Sequence, residues 1–140
     1  MKYLLLIAIL SSCSSLKSDV SVADNQVIIQ AVNKVAMRQY KMHVDDCSNF
    51  AFDVALELDS KGYDVRIFCY MSTRTMAHAI VELHIGRRVY YIDPTAGVGR
   101  WMVRNPKKKP LMIFTIKHLM WMKNKNFNDN ILNDFMRHLK

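Results

Sequence analysis

Glycine and proline are scarce. The chain of 140 residues holds four glycines and three prolines, and none of either precedes Gly62. The first half is therefore uninterrupted and helix-permissive. Cysteine is as rare. Three are too few for a disulfide framework, and no Cys-x-x-Cys pair exists. His43, His84, His118 and His138 show no metal-ligand spacing, so neither a zinc site nor any other cofactor is expected. No apolar run approaches the ~18 residues of a membrane-spanning helix, and no internal repeat is visible. Acidic residues are the minority, 12 against 20 Lys and Arg, for a net charge of +8 and a pI near 9.5. That balance favours anionic surroundings such as phospholipid, lipopolysaccharide, acidic protein or nucleic acid. Nucleic-acid binding would want basic residues interleaved with exposed aromatics on a known module, and none is found.

What is present describes a folded chain. Hydrophobic residues make up 51% and charged residues 23%, which is incompatible with extended disorder. The length allows one domain, burying ~70% of its unfolded surface.

The start of the chain reads as an address. Met1-Lys2 precedes an eight-residue apolar run, Tyr3 to Leu10, which matches a secretory signal and is too short to span a bilayer. Leu10-Ser11-Ser12-Cys13 resembles the bacterial lipobox. The resemblance implies cleavage before Cys13 and acylation of its thiol; an ordinary signal peptide cut nearby is the alternative. Ser14 is not the Asp that typically retains lipoproteins in the inner membrane, so an outer-membrane, periplasm-facing location is preferred. The expected organisation is a signal at 1–12, a lipidated tether at 13–23 and one domain at 24–140. Of the charges only Lys2 lies in the signal, so the mature chain carries +7. For an anchored envelope protein, an anionic membrane surface is the expected partner of the basic residues, not nucleic acid.

Within the domain, Asp24 can cap a helix running to about Tyr40, with Ile28, Ala31, Val32 and Val35 on one face. A second helix should start at Asp45 or Asp46 and end before Gly62, with Phe50, Ala51, Val54, Ala55 and Leu58 at helical spacing. Residues 63–71, 77–85 and 88–93 read as strands, the last two joined by a tight turn at Gly86. Residues 100–110 read as a basic loop and Leu111–Ile116 as another strand. Asn128 or Asp129 can cap a last helix carrying Ile131, Leu132, Phe135, Met136 and Leu139. The layout is α+β.

Cys47, His78 and Asp93 stand out together. Cys47 falls in the first turn of the second helix, where free N–H groups and the helix dipole favour thiolate and can hold the oxyanion of an acyl intermediate. Asp45 and Asp46 work against thiolate, so a basic partner is needed. His78, on the strand face of Ile80, Glu82 and His84, can be that partner. With a two-residue turn at Ile85-Gly86, His78 lies directly opposite Asp93, at a Cβ separation of ~5 Å. A carboxylate there orients the imidazole and leaves its other nitrogen for the thiol, the logic of a catalytic triad.

Asp46-Cys47-Ser48-Asn49-Phe50-Ala51 and Gly62-Tyr63-Asp64-Val65-Arg66 resemble the nucleophile helix and following strand of transglutaminase-like proteins. Ala77-His78-Ala79-Ile80-Val81-Glu82-Leu83 is similar to their histidine strand, and Tyr90-Tyr91-Ile92-Asp93-Pro94-Thr95 to their Asp-Pro-Thr strand. The match covers about residues 43–97 in the family's order. It implies a papain-like core, a Cys-bearing helix packed on a small antiparallel sheet carrying His and Asp. It also implies thiol acyl chemistry on a peptide or protein amide of the envelope. Larger members place a Trp or Gln before the Cys as a second oxyanion donor. No Trp precedes Cys47; Gln39, Tyr40 and His43 are the available residues, and no motif assigns any of them. Small bacterial members include periplasmic cysteine proteases, some of which bind calcium, but this chain has no dense acidic loop.

Three functions stay open: an envelope cysteine protease or amidase, a non-catalytic binding lipoprotein on the same fold, and a peptidoglycan peptide hydrolase. A Cys47–Cys69 disulfide is the rival arrangement of the thiol and would silence it. Glu82 and His84 read as a solvated strand face, and Lys107-Lys108-Lys109 as a solvated loop.

Overall fold

Ser21, not Asp24, opens the first helix in the computed structural model, which describes residues 20–39, 46–97 and 99–124. The Ser21 hydroxyl accepts from the Asp24 amide at 3.0 Å and donates to the Asp24 carboxylate at 2.6 Å. Asp24 thus stands three residues inside the cap, where a carboxylate favours the positive end of the helix. α1 (Val22–Ala36) buries Ile28, Ala31, Val32 and Val35, the anticipated face, and ends at Met37, short of Tyr40. Tyr40, His43, Cys13 and the helix anticipated after Asn128 lie outside the described residues.

α2 (Cys47–Ser60) is capped by Asp46 in a capping box: Asp46 accepts from the Ser48 amide, and the Asn49 side chain accepts from the Asp46 amide. It buries Phe50, Ala51, Val54, Ala55 and Leu58. Gly62, at φ +87°, turns the chain into β1 (Asp64–Met71), a backbone state that side chains rarely adopt. β2 (Ala77–Ile85), β3 (Arg88–Ile92), β4 (Met102–Val103), β5 (Met112–Thr115) and α3 (Ile116–Asn124) follow. The five strands form one antiparallel sheet in the order β4-β3-β2-β1-β5.

α1 packs on α2, and α2 packs on β1 and β2. The core joins those helices to Val65, Ile67, Cys69, Ala79, Val81, Leu83, Ile92, Phe114 and Leu119. Alternation therefore gives one sheet face to the helices. Burying a side chain such as Leu58, fully inaccessible here, contributes ~1.5–3 kcal/mol. Lys34–Glu57 at 2.8 Å and Arg38–Asp53 at 2.5 Å bridge α1 to α2 at the surface.

Three sequence expectations change. The β2–β3 turn is Gly86-Arg87, with Ile85 paired to Arg88, not Ile85-Gly86. Gly86 has φ +60° and takes the first central position of the turn, where glycine is favoured. The other choice would force β-branched Ile85 to positive φ. The segment read wholly as a basic loop contains β4, and Trp101 beside it is 5% exposed, inserted in the core. The strand read at Leu111–Ile116 is shorter, and Ile116 already begins α3. No helix of the described residues is long and apolar enough to cross a membrane.

Candidate active site

The path of α2 and β1 decides where Cys47 sits. α2 ends beside the start of β1, since the Tyr63 amide bonds the Leu58 carbonyl. Fourteen helical residues return about 21 Å, so the Cys47 end of α2 lies level with the far end of β1 and the start of β2. Residues Cys69, Tyr70, Ala79 and His78 are there, paired Cys69↔Ala79 and Tyr70↔His78.

His78 is the second residue of β2 and stands by alternation on the face away from α2. So near the sheet's end, its ring still reaches the helix N-terminus. His78 Nε2 is 2.8 Å from Asp93 Oδ2, and Cys47 lies near enough to the ring to favour its charged form. The three residues singled out from the sequence are thus near one another.

The pair forms although the register differs from the one anticipated. In the observed ladder Val81 opposes Ile92 and Glu82 opposes Tyr91, so Asp93, just beyond β3, is diagonal to His78 rather than opposite. The displacement is two residues, which preserves the face. Diagonal neighbours lie ~7–8 Å apart, within reach of His and Asp side chains. Asp93 is itself held: its Oδ1 accepts from the Thr95 amide at 2.9 Å and the Thr95 hydroxyl at 2.6 Å. Thr95 thus fixes the carboxylate that β3 delivers.

The electrostatics follow from these contacts. Burial opposes charge on His78, but hydrogen bonds and negative charge from Asp93 and Cys47 outweigh it, lifting its pKa from 6.5 to about 10. Burial likewise opposes charge on Asp93, and the bonds from His78 and Thr95 prevail, so its pKa falls below 3.8. Cys47 and Cys69 are both free thiols. Cys69 is 1% exposed, and its pKa is pushed up to about 12 by burial and the nearby Cys47. It is a packed core residue.

Glu82 and His84 are not a solvated face. Glu82 is buried, with its carboxylate 2.7 Å from His84 Nε2. Lys107, Lys108 and Lys109 are exposed, as anticipated for a loop. Gln39 is exposed as well. Tyr70, unremarked in the sequence, stands edge-on to His78 with ring centroids 5.8 Å apart. Its position follows only from the β1–β2 register. Among the described residues, no group of three or more His, Cys, Asp or Glu is placed to hold a metal ion.

The architecture is therefore α+β, with a Cys-bearing helix packed on an antiparallel sheet whose strands bring His78 and Asp93 to that Cys. No protein-family model, curated protein or solved structure matches the chain.

Proposed function

We propose that this protein is an envelope-anchored thiol hydrolase on a papain-like core, related to transglutaminase-like cysteine proteases. The observation that carries the reading is the His78 imidazole, bonded through Nε2 to Asp93 and close to Cys47 at a helix N-terminus. That arrangement supplies nucleophile, base and orienting group. His78 accepts the Cys47 proton and leaves the sulfur as thiolate for attack. The thiolate attacks an amide carbonyl carbon, and the carbonyl electron pair moves to oxygen. The pair returns as the C–N bond breaks, and His78 gives its proton to the departing amine. Water then loses a proton to His78 and adds to the thioester. Collapse of the second intermediate breaks the C–S bond, releases the acid and restores the ion pair. Asp93 holds the imidazole in line and stabilises its charge in both halves.

The lipobox-like Leu10-Ser11-Ser12-Cys13 supports an acylated Cys13 and an outer-membrane, periplasm-facing address. Residues 94–124 carry seven Lys or Arg and no Asp or Glu, which supports contact with an anionic membrane surface. Palmitate incorporation should disappear in Cys13→Ser; labelling that persists would remove the anchor.

The test of the chemistry is incubation of the full chain with envelope proteins and, separately, with purified peptidoglycan. New amino termini should appear with wild type and be absent with Cys47→Ala. The substrate that yields them divides protease from peptidoglycan peptidase. No Cys47-dependent product from either would leave a non-catalytic binding module and overturn the proposal.

A further inference from the structure

Attack by Cys47 puts a negative charge on the carbonyl oxygen twice per turnover, and such charge is commonly met by two preorganised donors. The Cys47 N–H is one, because the first residue of a helix has no intrahelical acceptor. The next amide is engaged, since Ser48 N–H donates to Asp46 Oδ1 at 3.1 Å. A second donor must come from elsewhere at this end of the sheet.

Tyr70 stands there. It pairs across the strands with His78, and the two rings meet edge to face, 5.8 Å apart at 85°. Phe68 backs it at 5.9 Å and is in turn edge-on to Tyr91 at 5.7 Å, so the ring is held by neighbours on its own face. Tyr70 is half-buried, and the described residues offer its hydroxyl no hydrogen bond. The contrast is with Tyr63, which donates to Asp24. Burial and then the charges of Asp93 and Cys47 raise the Tyr70 pKa above 10.0. The phenol therefore remains a donor at neutral pH and lies within the field of both groups.

We infer that the Tyr70 hydroxyl is the second oxyanion donor of this site, acting with the Cys47 N–H. The inference rests on the thiol-hydrolase reading. Two reagents separate them. p-Nitrophenyl acetate acylates a thiolate through a tetrahedral oxyanion and releases p-nitrophenolate. Iodoacetamide alkylates the same sulfur by displacing iodide and forms no oxyanion. In Tyr70→Phe, which keeps the ring, the Cys47-dependent p-nitrophenolate burst should slow ~100-fold, while alkylation of Cys47 stays within about twofold of wild type. An unchanged burst overturns the inference. So does an equal fall in both rates, which would make Tyr70 a packing residue. A wild-type Cys47 that neither reagent modifies, or that iodoacetamide alone modifies, overturns the thiol-hydrolase reading and this inference with it.

Discussion

Replacing Asp93 with Asn probes the linkage at its middle. Asp93 Oδ1 accepts two bonds from Thr95, at 2.9 and 2.6 Å, and an Asn carbonyl can keep both. Its amide nitrogen must then occupy the place of Oδ2, 2.8 Å from His78 Nε2. A protonated imidazole presents N–H there, so two donors meet and the charged form loses its main support. The pKa of His78, about 10 against 6.5, corresponds to roughly 5 kcal/mol in favour of the imidazolium. Asp93 and Cys47 share it. If Asp93 supplies half, Asp93→Asn costs the charged form about 2.5 kcal/mol and lowers the His78 midpoint by roughly two pH units. Imidazole resonances followed by NMR from pH 5 to 11 read this directly. Wild-type His78 should titrate near pH 10 and Asp93→Asn near pH 8 or below. A wild-type midpoint near 6.5, or one that Asp93→Asn does not move, would refute the reasoning.

Other consequences concern the scaffold. Leu58→Ala should lower unfolding free energy by about 2–5 kcal/mol in urea titrations, because Leu58 is fully buried between α2 and its neighbours. Asp46→Ala removes the cap that receives the Ser48 amide and hydroxyl and should cost about 1 kcal/mol. Stability should also depend on pH through the pair. The folded-state pKa of His78 is raised, so its contribution is complete below pH 6.5 and is lost as pH rises through about 10. That of Asp93 is lowered, so its contribution is present above pH 3.8 and is lost as pH falls through its folded value. Urea midpoints at pH 7 and pH 11 should differ more for wild type than for His78→Ala; equal differences would contradict the linkage.

Local signals account for what was readable in the sequence. Asp46 before Cys47 and Gly62 after Lys61 bracket α2, because a cap and a left-handed stop are written in single residues. Alternation gave β2 its two faces and kept His78 and Asp93 on one of them. The register depended on which two residues make the turn, and the preference of glycine for the leading position decides it. The displacement was two residues, so the site survived it. β4 was hidden because two residues carry no periodicity. α3 was hidden because Ile116 follows β5 with no turn residue between. Tyr70 could not be read as a site residue, since its pairing with His78 is set by the sheet ladder across the loop at residues 72–76.

The central claim is that His78 activates Cys47. Brief treatment of the full chain with iodoacetamide at neutral pH, followed by peptide mapping, measures it directly. Cys47 should carry the label and Cys69, 1% exposed with a pKa near 12, should not. In His78→Ala the Cys47 rate should fall at least ~10-fold. Equal labelling of Cys47 with and without His78, or a mapped Cys47–Cys69 disulfide, would contradict the account.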